Sequence, residues 1–191
     1  MKEITIRLGH IDDVYAHMVE EFPANELKTY AEFIKLEQDG RYDVLLAYDE
    51  QLIGYALVYK SKAMRALWLD FLAVLPSAQS KGYGTVFFES IINAYQADYD
   101  GMYLEVEIPE KDNVNQQRRI TYYERLGAQI LPMDYWLPTQ DGAFAMYLMY
   151  VGKKEATLER TVQTIEDVFA YIHKSAPDTS HIIAKIKAQI V

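Results

Sequence analysis

Residues 69–92 read LDFLAVLPSAQSKGYGTVFFESII, and this stretch decides the fold. An apolar strand pattern runs to Leu75 and stops at Pro76, and a polar loop follows with Gln79, Ser80 and Lys81. Helical spacing resumes just past Gly82 and Gly84. Glycine at these points lets the main chain come close to a ligand. The first turn of a helix leaves N–H groups without carbonyl partners, and the helix dipole adds positive charge there. The segment therefore asks for a phosphate or pyrophosphate. Otherwise it is an ordinary strand–turn–helix whose glycines only turn the chain.

Two common phosphate loops do not match. A P-loop needs GxxxxGK[ST], whereas Lys81 precedes Gly82 and no second glycine stands five positions upstream. The dinucleotide fingerprint needs three glycines, and residues 83–87 offer none at the third position. The segment resembles motif A of the GCN5-related N-acetyltransferases, Q/R-x-x-G-x-G/A following a strand. Here that motif reads Gln79-Ser80-Lys81-Gly82-Tyr83-Gly84, preceded by Leu72-Ala73-Val74. The resemblance implies an α/β fold, with a mixed, strongly twisted sheet and helices on both faces. It also implies acetyl-CoA as co-substrate, with no metal.

Composition sets the outer limits. A chain of 191 residues fits one domain with a real core. It has no cysteine, which excludes disulfides, thiolate metal sites and a cysteine nucleophile. Residues 1–8 alternate like a short strand rather than a leader, and no apolar run is long enough to cross a bilayer. A soluble cytoplasmic protein without a membrane partner is expected. The net charge of −9 argues against nucleic acid as a partner. Residues 151–191 carry +1, which leaves −10 on residues 1–150. Such a body favours a cationic acceptor such as an amine, or simply keeps the surface soluble.

Along the chain, Ile4, Ile6 and Leu8 alternate with polar residues, and Asp12 and Asp13 open a helix to about Glu21. Asn25 is expected to cap a second helix ended by Asp39-Gly40. Strands over 42–48 and 52–59 form a hairpin across Asp49-Glu50-Gln51, and the strand at 67–75 enters the phosphate loop. The helix after that loop reaches about Ala97, and a strand follows at 102–108. A helix at 116–126 is ended by Gly127. Strands at 128–131 and 143–150 are separated by a Pro-, Tyr- and Trp-bearing connection. Apolar residues at helical spacing from Leu158 to Ile172, and again after Pro177, predict a helical pair. The expected organisation is an acetyltransferase domain over 1–150 and a helical extension over 151–191, docked on the body or forming a homodimer contact.

The resemblance assigns the cofactor contacts. The backbone of Gln79, Ser80, Lys81, Gly82, Tyr83, Gly84 and Thr85 would cradle the pyrophosphate. Backbone groups at Leu72 and Val74 would pair with the pantetheine arm, and an N–H near Ala73 or Val74 would polarise the thioester oxygen. A second match is Leu104-Glu105-Val106 followed by QQRRITYYERLGA over 116–128. It is similar to the family's LEV and N-x-x-A-x-x-[FLY]-Y-x-x-x-G-[FA]. Tyr123 falls on that Tyr and would protonate the thiolate, or it is an amphipathic packing residue among sixteen tyrosines. Gln116 replaces the usual Asn and Arg119 the usual Ala, both beside the expected coenzyme channel.

The general base is left to three carboxylates, ranked Glu105, Asp70 and Glu107. Glu105 and Glu107 share a strand face, and convergence of the three would raise one pKa or bind a cationic acceptor. His10, His17, His173 and His181 show no metal-ligand spacing and read as surface or packing residues. Trp68, Trp136 and Tyr135 are candidates for an acceptor pocket or for ordinary packing. The resulting expectation is transfer of an acetyl group from acetyl-CoA to a small-molecule or peptide amine, by direct attack in a ternary complex. The alternative is a non-catalytic coenzyme-binding or assembly module on the same fold.

Overall fold

A computed structural model describes residues 3–190. Met1 and Lys2, where the first strand pattern was expected to begin, and Val191, the end of the extension, lie outside them. The described residues form a mixed α/β fold of eight strands and six α-helices. It divides into two compact units, residues 1–60 with 69–98 and residues 61–68 with 99–191. Among the described residues no helix is long and apolar enough to cross a membrane.

Strands β1 (Thr5–Gly9), β2 (Tyr42–Asp49), β3 (Gln51–Ser61) and β4 (Ala66–Val74) lie in that order, the first unit holding β1, β2, β3 up to Lys60 and β4 from Leu69. The β1–β2 and β2–β3 pairs are antiparallel, with an irregularity at Ala47/Tyr48. Glu50, at φ 60°, makes the tight turn of the expected hairpin. Near-continuous burial of β3 explains its apolar run, whereas Leu8 in β1 points outward and is 72% exposed. Helix α1 (Tyr15–Glu21) follows a short 3₁₀ turn at Ile11–Asp13.

Helix α2 (Tyr30–Gln38) begins five residues after the expected Asn25 cap. Thr29 caps it instead, because Thr29 and Glu32 satisfy each other's backbone N–H groups in a capping box. Phe33 and Leu36 carry its buried face. Helix α3 (Tyr83–Tyr95) follows β4 and buries Phe87, Phe88 and Ile91.

In the second unit, β5 (Gly101–Glu107) pairs antiparallel with β8 (Gly142–Gly152), and β6 (Gln129–Ile130) adds to β8. The connection that read as irregular contains a further strand, β7 (Tyr135–Thr139), forming a hairpin with β8. Pro138 hides it in the sequence, since proline argues against a strand unless that strand lies at an edge. Helix α4 (Val114–Arg125) ends at Gly127, whose φ of 86° is the left-handed geometry such a stop needs.

The apolar stripes of the extension form α5 (Leu158–Tyr171) and α6 (Thr179–Lys187). Val162, Ile165, Val168 and Phe169 are buried within this unit, as are Ile182 and Ile186. Thr161 is 3.1 Å from the Tyr103 hydroxyl, and Asp167 accepts from Ser61 at 2.5 Å.

Candidate active site

The end of β4 and the start of α3 carry the first group of candidate residues. Leu75 donates its N–H to Ile53 O at 2.9 Å, which holds the end of β4 against β3. At Gly54 the two strands come so close that a Cβ would sit 2.5 Å from Ala73 O. Only glycine fits this approach. Leu72 and Val74 are half-buried and Ala73 is buried. A 3₁₀ turn at Pro76–Ala78 then leads to Gln79, Ser80, Lys81 and Gly82, all exposed.

The loop has two left-handed residues, Ser80 at φ 59° and Gly82 at φ 83°. Ser80 shares this left-handed geometry with the turn residue Glu50, at φ 60°. Gln79, just before Ser80, is extended, at φ −60° and ψ 157°. Gly82 is the N-cap of α3 and has no side chain to cover the first-turn donors. Tyr83, Gly84 and Thr85 are half-buried at that turn.

The side chains brace the loop rather than fill it. Gln79 Nε2 donates to Val74 O at 3.0 Å, and Lys81 Nζ donates to Ser77 O at 2.7 Å. The Tyr83 hydroxyl donates to Asp49, a bond that, with some burial and the charge of Asp49, raises the phenol above its ordinary pKa.

Asp70, lower on β4, accepts from Lys28 Nζ at 2.9 Å and from the Tyr42 hydroxyl. The Lys28 ammonium also stands 5.4 Å from the ring centres of both Phe33 and Phe71. Sequence reasoning missed this pair, because Lys28 falls within the helix expected from Asn25 and nothing local links it to Asp70.

A second group of candidate residues lies in the other unit. Glu105 on β5 is half-buried and accepts from the Tyr135 hydroxyl and, at 3.4 Å, from Trp68 Nε1. Tyr135 and Trp68 are fully buried, so they are fixed donors. Glu107, on the same strand face, pairs with Arg119 at 2.8 Å where both are substantially exposed. Arg119 thus has a carboxylate partner of its own. Gln116 Oε1 accepts from Glu110 N at 2.8 Å, and its own N–H goes to the Asn113 cap. This braces the loop before α4.

Tyr123 lies half-buried on α4, its ring edge-on to Tyr122 at 5.0 Å. Burial pushes its phenol up to about 12, against a small lowering by Arg119. A phenol so held keeps its proton at neutral pH, as a general acid must. The three carboxylates expected to share charge each have their own hydrogen-bonding partners.

The sequence pattern of the acetyltransferase (GNAT) family matches residues 11–128. The chain belongs to the GNAT acetyltransferase family. No curated protein matches it significantly. Among solved structures, a protein from Bacteroides thetaiotaomicron assigned to the GNAT family is 22% identical. It covers 88% of this chain and 97% of its own length, with a TM-score of 0.74. The ribosomal-protein-S18-alanine N-acetyltransferase of Escherichia coli is also 22% identical and covers 81% and 97%, with a TM-score of 0.58. The Vibrio cholerae spermidine N-acetyltransferase, solved with CoA and spermine, is 15% identical and covers 78% and 95%, with a TM-score of 0.59. At these identities the likeness speaks for the fold of this GNAT acetyltransferase.

Proposed function

We propose that this GNAT acetyltransferase moves the acetyl group of acetyl-CoA onto a primary amine by direct attack in a ternary complex. The exposed turn with left-handed Ser80 and Gly82, opening directly into an uncapped α3, carries the reading. The backbone of residues 79–85 holds the pyrophosphate, and Leu72, Ala73 and Val74 line up the pantetheine and thioester. Gln79 and Lys81 fix the turn through their bonds to Val74 and Ser77.

The chemistry then needs a base and an acid. Glu105, oriented by Tyr135 and Trp68, takes a proton from the acceptor ammonium. The free amine attacks the thioester carbonyl carbon, the C–S bond breaks, and Tyr123 gives its proton to the departing thiolate. The second proton lost by nitrogen restores Tyr123. Asp70 acts as a fixed anion held by Lys28 and Tyr42, and Gln116 and Arg119 shape the loop and strand beside α4. The acidic body favours a cationic acceptor, whether a small polyamine or the amine of a peptide.

Calorimetric titration with CoA, followed by thiol release from acetyl-CoA over a panel of polyamines and peptide amines, tests the reading. Binding and turnover with at least one amine are expected, with turnover reduced in Tyr123→Phe. CoA binding without turnover on any amine would instead identify a coenzyme-binding module.

A further inference from the structure

His173 belongs to the C-terminal segment, outside the residues that define the family match. It follows the end of α5, a 14-residue helix seated by its buried Val162, Ile165, Val168 and Phe169. The Tyr103–Thr161 and Ser61–Asp167 hydrogen bonds fix the helix along its length. The Phe169 ring then stands 6.2 Å from Tyr135 and edge-on to His173 at 5.6 Å. His173 is only 8% exposed. One of its ring nitrogens lies within 4.8 Å of a carboxylate oxygen of Glu105. A modest side-chain rotation or one water molecule closes such a gap. The C-terminal end of a helix favours a cation, which suits an imidazole that gains a proton.

We propose that His173 is a proton-relay residue that acts through Glu105, resetting the base after each transfer. The proposal rests on the reading of Glu105 as the base. Each turnover converts R–NH₃⁺ and acetyl-CoA into the amide, CoA–SH and one H⁺. Glu105 collects that H⁺ as a carboxylic acid and passes it to neutral His173, which becomes imidazolium and releases it to solvent. The carboxylate is thereby regenerated beside Tyr135 and Trp68. The extension accordingly contributes to the chemistry as well as to the packing.

Two measurements on the full chain test this. Nitrogen-15 NMR follows the His173 ring titration in wild type and Glu105→Gln, with His173→Gln assigning the signal; this needs no acceptor. Loss of the carboxylate is expected to lower the His173 midpoint by roughly one pH unit or more. An unchanged midpoint overturns the proposal. The thiol-release assay then compares His173→Ala, His173→Gln and His173→Phe, with folding monitored by thermal melting. His173→Ala is expected to lose roughly tenfold or more in kcat at an unchanged KM for acetyl-CoA, and free imidazole to restore it. His173→Gln and His173→Phe should resist rescue. Full activity in His173→Ala, or a loss that imidazole leaves untouched, rejects the relay. Full activity in Glu105→Gln rejects the base assignment itself, whereas an inactive Glu105→Gln beside a fully active His173→Ala rejects the relay alone.

Discussion

Lys28 Nζ lies 2.9 Å from Asp70 Oδ2, with the two side chains only 10% and 5% exposed. The Tyr42 hydroxyl donates to the same carboxylate oxygen, and its phenol is raised well above the ordinary value by burial and by the charge and hydrogen bond of Asp70. Removing one partner of a buried ion pair leaves a charge without compensation. Lys28→Met is therefore expected to destabilise the fold by about 3–5 kcal/mol. The double variant Lys28→Met with Asp70→Asn should recover much of that loss. Urea unfolding of the three proteins measures both effects, and a single variant as stable as wild type refutes the account.

The contact between β3 and β4 gives a sharper test of the cofactor role proposed for β4. Gly54→Ala places a methyl group 2.5 Å from Ala73 O, and backbone cannot swing aside as a flexible side chain can. The expected cost is about 1–3 kcal/mol of stability. Affinity for CoA should also fall, because Ala73 and Val74 are displaced. Calorimetry on the folded variant would detect the change; wild-type affinity would mean that the close approach has no bearing on the cofactor.

At Gly82 the steric situation is the reverse. A Cβ here would meet nothing within 4 Å, but φ is 83°. The penalty for Gly82→Ala comes from backbone conformation alone, about 1–2 kcal/mol. We expect weaker CoA binding with a smaller effect on melting than Gly54→Ala. Lys81→Ala, which removes an exposed side chain tied to Ser77 O, should weaken binding only slightly.

Tyr123 carries a pH prediction. Because burial raises its phenol to about 12, the protonated form that can act as an acid persists well above the ordinary tyrosine value of about 10. Loss of this function should therefore begin only as pH approaches 12. Tyr123→Phe should lower kcat by roughly 10²-fold or more and abolish that alkaline step. A Phe variant with the wild-type rate and profile would assign Tyr123 to packing.

Asp100 carries the acid-side counterpart. Burial works to raise its pKa, but hydrogen bonds from Lys154 and Arg160, together with their charges, outweigh it and lower the carboxyl. Arg160 reaches Asp100 at 2.8 Å and also donates to Met64 O. A depressed folded pKa contributes stability that is full above the unfolded value and lost as pH falls through the folded one. Asp100→Asn should thus be less stable than wild type at neutral pH, with the gap narrowing below about pH 4. Chemical unfolding at a series of pH values follows this difference, and a constant gap would contradict it.

Local signals were legible wherever a short segment sets its own conformation. Gly127 stops α4 and the hairpin turns at Glu50, as the sequence indicates. Thr29 and Glu32 form a capping box that was equally present in the sequence, yet Asn25 offered a competing cap. β7 was hidden because five residues containing Pro138 carry too little periodicity, and it is pairing with β8 that makes them a strand. The ranking of the carboxylates was settled even less by sequence, since Asp70, Glu105 and Glu107 look alike until their partners are known.

The sequence by itself determined the family, the strand–turn–helix around Gly82 and the helical stripes of the extension. These follow from residue spacing, glycine conformation and the unpaired donors of a helix start, all of which act over a few neighbours. Only the tertiary structure decided that Lys28 neutralises Asp70, that Tyr135 and Trp68 orient Glu105, and that α5 brings His173 close to Glu105. Such partners lie 30 to 68 positions apart in the chain, and packing alone brings them within reach of one another.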